Sequence, residues 1–203
     1  MYTMLDGPNG MYTITENDAL IAVDVQNDFC PGGALEVSEG DRVVPVSNSL
    51  VPRFGRCVFT RDWHPADHCS FSDAPTFVDK SWPVHCVAQT PGAAYHSGLR
   101  VPGDAIEIFK GTDRDREAYS GFEGTDLADR LRETAIARVF VCGLATDYCV
   151  KQTALDAKRE GFEVVVLADA CRAVDVPPGS GQAALAELQA SGIVVASSAE
   201  VQS

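Results

Sequence analysis

A chain of 203 residues, 45% hydrophobic and 22% charged, is ordinary globular material, long enough to bury one core without disulfide staples. Its formal net charge of −13 sets it against nucleic acid and anionic membrane surfaces, which would repel it, and leaves a small neutral molecule indifferent. Seven cysteines, an odd number with no Cys-x-x-Cys pair, argue for free thiols in a reducing cytoplasm rather than a disulfide framework.

Residues 1–18 are polar, mixed and rich in turn formers, without the basic start and apolar run of a signal peptide. They are expected to form a partly irregular extension, with a single domain over 19–203. Met-Tyr-Thr stands at residue 1 and again at residue 11, so Met11 is a second candidate start. No apolar stretch reaches the roughly 18 residues that cross a bilayer, and the expected location is cytoplasmic.

From residue 19 onward, short β-branched runs alternate with helical spacing. Residues 19–25 read as a strand, 43–54 as a helix and 57–60 as a second strand. Residues 61–103 are rich in Pro and His, without periodicity; a loop that long in a compact domain is usually functional. A strand at 105–109 follows, then a helix at 126–135, a strand at 138–142 and a helix at 147–160. The remaining elements are a strand at 162–167, a helix at 182–190 and a strand at 193–196. Gly161 and Gly192 stand where the last two helices should stop. The runs are continuous rather than alternating, which marks strands buried on both faces. The pattern predicts a three-layer α/β/α fold around a six-stranded, mostly parallel sheet with right-handed crossovers.

In open parallel sheets the ligand binds beyond the carboxyl ends of the strands. Those ends carry Asp24, Asp62, Lys110 and the turn Gly143-Leu144-Ala145-Thr146-Asp147-Tyr148-Cys149. Thr146 or Asp147 is placed to cap the following helix. Cys149 would then lie in its first turn, where free N–H groups lower a thiol pKa. The competing reading of Cys149 is a buried structural thiol. Asp24 closes an apolar run and must be paired if buried; its alternative is a turn acceptor. Lys110 is alternatively a solvated lysine at a strand exit. Together with Cys149 they form a candidate acid/base and thiolate arrangement.

Asp62, His64 and His68 fall within seven residues, and His85 follows in the same loop region. One carboxylate with two or three imidazoles suits Zn²⁺, Fe²⁺ or Mn²⁺. The competing reading is histidines that merely line a loop. Phe29, Trp82 and Tyr119 could wall a flat ring, although aromatics at loop bases are more often core.

Four blocks occur in order: Asp24-Val25-Gln26-Asn27-Asp28-Phe29; Thr60-Arg61-Asp62-Trp63-His64-Pro65 with His68 and Trp82-Pro83-Val84-His85-Cys86; Phe109-Lys110-Gly111 with Tyr119-Ser120-Gly121-Phe122; and Gly143 to Val150. Spanning about residues 19–197, they resemble the nicotinamidase/pyrazinamidase branch of the isochorismatase-like cysteine hydrolases. The resemblance implies that fold, with Asp24, Lys110 and Cys149 as catalytic triad. It implies Asp62, His64 and His85 as ligands of one divalent transition metal, zinc ahead of iron or manganese, with His68 a further candidate. It implies an oxyanion hole from the N–H groups of Ala145 and Cys149 beside a cis Leu144–Ala145 peptide, and a substrate pocket walled by Phe29, Trp82 and Tyr119. The implied activity is hydrolysis of nicotinamide to nicotinate and ammonia through a Cys149 thioester in pyridine nucleotide salvage, with pyrazinamide also accepted and homo-oligomers common. The runner-up is an amidohydrolase of the same fold acting on a carbamoyl or ureido substrate. An isochorismatase proper has no need of an active-site cysteine, and a non-catalytic scaffold would lack site residues that are all present here.

Overall fold

Valine and isoleucine runs with no polar alternation need cover on both sides, and the computed structural model, which describes residues 10–202, gives them that cover. The strands are β1 (Tyr12–Thr13), β2 (Asp18–Val23), β3 (Cys57–Asp62), β4 (Ile106–Lys110), β5 (Arg138–Leu144), β6 (Glu163–Arg172), β7 (Val194–Ala196) and β8 (Val201–Gln202). The helices are α1 (Val43–Leu50), α2 (Leu127–Glu133), α3 (Lys151–Arg159) and α4 (Ser180–Ala190). Six strands form one sheet in the order β4-β3-β2-β5-β6-β7, and every pairing is parallel. All residues of β2 and β5 are buried. Leu20, Ile21, Phe59 and Phe140 are fully buried large side chains at its centre, each stabilising by roughly 1.5–3 kcal/mol.

Chain order and sheet order together fix the layers. From β2 the chain moves one way to β3 and β4, then returns past β2 to β5, β6 and β7. With right-handed crossovers, that reversal puts α1 on one face and α2, α3 and α4 on the other. The expected three-layer architecture is the observed one. The reversal also creates a switch point between β2 and β5, where the flanking connections leave in opposite directions and open a crevice.

Strand ends depart from the sequence pattern for local reasons. β2 stops at Val23 rather than residue 25 because Asp24 takes a left-handed conformation, φ 48°, which turns the chain off the sheet. β3 runs on to Asp62 because β4 pairs with it as far as Asp62↔Lys110. β5 extends to Leu144, and Gly143 adopts φ +114° hard against β2; a Cβ there would stand 2.1 Å from the Val23 carbonyl oxygen. The Leu144–Ala145 peptide is cis. The helix expected from residue 147 starts only at Lys151. Before it lies a π-helical turn, Thr146–Val150, with no side-chain cap.

Among the described residues, 63–105 contain no helix or regular strand. Isolated bridges hold that segment: Gln26↔Tyr95, His64↔Val87 and Phe71↔Trp82. Residues 1–9, the first half of the expected extension, lie outside the described residues; Tyr12–Thr13 pairs in parallel with Val201–Gln202. No helix among the described residues is long and apolar enough to cross a membrane.

Candidate active site

The exits of β2, β3, β4 and β5 deliver their side chains into one crevice at the switch point. Lys110, the last residue of β4, is buried, and its Nζ stands 2.9 Å from Asp24 Oδ2 and 3.3 Å from Cys149 Sγ. The same ammonium is paired with Asp62 Oδ1, and the Ala118 carbonyl accepts from it at 3.4 Å. Asp24, Asp62 and Cys149 each bring one atom within 4.8 Å of the other two. Thr60 Oγ donates to Asp24 Oδ1 at 2.6 Å, and the Asp24 N–H donates back to the Thr60 hydroxyl at 3.2 Å.

Burial and charge divide these groups. Burial pushes the Asp24 carboxyl above its ordinary value; Lys110 pulls it back, and Asp62 adds to the rise. Burial also works against charge on Asp62, yet the Lys110 ammonium and then His64 overcome it and hold that carboxyl well below the carboxylate range. Lys110 itself, desolvated, is held well above the usual lysine value by Asp24, Asp62 and Cys149. Burial drives the Cys149 thiol well upward against the pull of Lys110, with Asp24 and Asp62 reinforcing the rise. The expectation of a thiol pKa lowered by a helix N-terminus is therefore overturned. The turn around Cys149 is not the capped first turn of an α-helix, and the thiol is buried beside the carboxylates of Asp24 and Asp62. Asp147, expected as a cap, instead accepts from the N–H groups of Val174 and Asp175 and from the Ser180 hydroxyl.

Beside this cluster, Asp62, His64 and His85 each offer one ligand atom within 4.8 Å of the others, and all three are buried. Their second contacts suit them to hold a cation. His64 Nδ1 lies 2.9 Å from the Gly111 carbonyl oxygen and His85 Nδ1 lies 2.8 Å from that of Pro83. A carbonyl can only accept, so each Nδ1 carries the proton and each Nε2 keeps its electron pair for a metal. Burial brings His85 down to about 4, so it is neutral at neutral pH. His64 goes up, because Asp62 outweighs its burial. A carboxylate with two imidazoles is a donor set for zinc or a similar divalent ion. His68 stays outside the trio. Its ring lies 4.3 Å from that of His64, while Nδ1 meets Ser70 Oγ at 2.8 Å and Nε2 meets the Arg116 carbonyl at 3.1 Å.

Cys149 and the cation set face one cavity enclosing about 360 Å³ of empty space, part of it open to solvent. Phe29, Trp82 and Tyr119 line it, as the resemblance implies, and Trp82 donates its indole N–H to the Tyr119 hydroxyl at 3.1 Å. Leu35, Glu117, Tyr148 and Val174 also line it and were missed in the sequence. Glu117 sits in the charged run Asp113-Arg114-Asp115-Arg116-Glu117, between Lys110 and Tyr119, which is more charged than a neutral substrate calls for. Tyr148 had a legible signal, being the residue before Cys149.

A doubly wound parallel sheet with a polar, thiol-bearing crevice at its switch point is the α/β architecture shared with isochorismatase-like hydrolases. The chain belongs to the isochorismatase family, whose isochorismatase domain model matches residues 18–200. It is 40% identical to the nicotinamidase of Acinetobacter baylyi over 195 residues, covering 87% of this chain and 91% of that protein. Its fold matches the pyrazinamidase of Pyrococcus horikoshii solved in complex with zinc, at TM-score 0.80 and 46% identity, over 89% of this chain and 99% of that one. It also matches an L. infantum protein solved in complex with nicotinate, at TM-score 0.85 and 38% identity, over 95% and 98%.

Proposed function

We propose that this chain is an amidase that hydrolyses nicotinamide to nicotinate and ammonia, with Cys149 as nucleophile and pyrazinamide as a second substrate. One observation carries the reading: a buried ammonium, Lys110, contacts Asp24 and Cys149 at the edge of an aromatic-walled cavity that also holds Asp62, His64 and His85. The nicotinamidase and pyrazinamidase relatives, and the neighbours solved with zinc and with nicotinate, support the same substrate class.

Asp24 takes the Cys149 proton: burial raises the proton affinity of the carboxylate, which favours the transfer, and Lys110 works against the rise that burial imposes on the thiol. Lys110 pairs with the thiolate as it forms. Sγ bonds to the amide carbon and the carbonyl electron pair moves onto oxygen. The N–H groups of Ala145 and Cys149 receive that oxyanion, and losing one such donor typically costs ~10²–10³ in rate. As the carbonyl re-forms, the C–N bond breaks and Asp24 returns its proton to nitrogen, releasing ammonia and leaving a thioester. Asp24 then takes a proton from water, whose oxygen adds to the acyl carbon; the C–S bond breaks, Asp24 returns that proton to the Cys149 sulfur, and the acid leaves as nicotinate with its carboxyl proton passing to solvent. Asp62, His64 and His85 would hold a divalent ion, zinc first, which when bound supplies Lewis acidity and an anchor for a pyridine-type nitrogen. Phe29 and Trp82 sandwich the ring and exclude water.

Ammonia release measured with nicotinamide, pyrazinamide and a ureido compound tests the assignment. Turnover of the first two without the third is expected, and preference for the ureido compound would move the chain to a carbamoyl-cleaving activity.

A further inference from the structure

Where β2 leaves the sheet at Val23, β3 continues to Asp62 and loses its neighbour on that side. A backbone N–H and C=O left unpaired in a dry site would each cost about 1–3 kcal/mol. Gln26, with no exposed surface, fills that gap with its side chain. Its Oε1 accepts the Asp62 N–H at 2.8 Å, and its Nε2 donates to the Asp62 carbonyl at 2.9 Å. The second Nε2 proton goes to the carbonyl of buried Ala93, also at 2.9 Å. The amide thus grips Asp62 by both backbone groups, as a strand neighbour would, and ties it to the loop that bridges Gln26 to Tyr95. No other type of side chain of that length offers one acceptor and two donors in a plane.

We infer that Gln26 is a positioning residue: its amide stands in for the missing strand and fixes the direction of the Asp62 carboxylate toward the cation set and Lys110. Neither oxygen of Asp62 is free to drift without loss. One is paired with Lys110, and the other lies 3.7 Å from His64 Nε2. A slip of the Asp62 backbone would therefore loosen the cation set and the thiol-side ammonium together. The inference rests on the reading of Asp62, His64 and His85 as metal ligands.

The test is the zinc affinity of the purified protein, read by competition with a chromophoric chelator, for wild type, Gln26→Glu, Gln26→Met and Asp62→Asn, alongside thermal melting. The two Gln26 variants keep the side-chain volume while removing donors or all polar atoms. Loss of a group that orients a ligand typically weakens metal binding 10–100-fold, and a weakening of at least about tenfold is expected in both folded variants. A kcat that falls with little change in KM would accompany it. Wild-type zinc affinity in Gln26→Glu and Gln26→Met, with Asp62→Asn impaired, overturns the inference and leaves the metal reading standing. Unchanged affinity in Asp62→Asn removes the metal reading, and the inference with it. Failure of both Gln26 variants to fold also overturns the inference, making the amide a requirement of the fold rather than of the site.

Discussion

At Lys110 a single buried ammonium answers two buried carboxylates and a buried thiol. Removing one partner of a buried ion pair typically costs 3–5 kcal/mol, because the other charge is left uncompensated. Lys110→Met strands both Asp24 and Asp62. It is expected to lower the melting temperature sharply and to remove most activity, as thermal melts and initial rates will read. Asp24 gives a pH prediction. Its carboxyl must be ionised to take the thiol proton, and its folded-state pKa lies above the ordinary value, so activity is lost as pH falls through that raised pKa. The Thr60 hydroxyl lowers that value by donating to Oδ1. Thr60→Val should move the acid limb of the kcat/KM profile to higher pH; an unmoved limb would show that the limb belongs to another group.

At the scale of elements, the strands and their order of type were readable because continuous β-branched runs have few other uses. The strand-end rule brought Asp24, Asp62, Lys110 and Cys149 to one edge before any contact was known. What stayed illegible depended on partners far along the chain. The duty of Asp147 follows from Val174, Asp175 and Ser180, 27–33 residues away. The sharing of Lys110 between Asp24 and Asp62 is likewise a fact of sheet register, Asp62 opposite Lys110. The turn after β4 shows how tightly such joins are built. Gly111 sits at φ +63°, and a Cβ there would lie 2.4 Å from His64 Cε1. Gly111→Ala must displace the His64 ring or its own carbonyl, which receives the His64 Nδ1 proton. A drop in zinc affinity of about tenfold or more is expected by chelator competition. Retained affinity would mean that the ring and loop shift without disturbing His64.

On the whole-molecule scale, the net charge of −13 and the cavity chemistry address different things. A neutral amide feels little of the long-range field, which salt screens over about 10 Å at 0.1 M. The kcat/KM for nicotinamide should change by less than about twofold between about 0.05 and 0.5 M salt, whereas a charged substrate would show a steep dependence. The fold supplies a rigid sheet and a switch point, and the long aperiodic segment supplies His64, His85 and Trp82 from one side of the crevice.

Ammonia release from nicotinamide by wild type and by Cys149→Ala, compared at equal bound metal, bears most directly on the central claim. The account predicts turnover in the first and none above background in the second, with the fold and metal content preserved. Turnover in Cys149→Ala approaching that of wild type would contradict it.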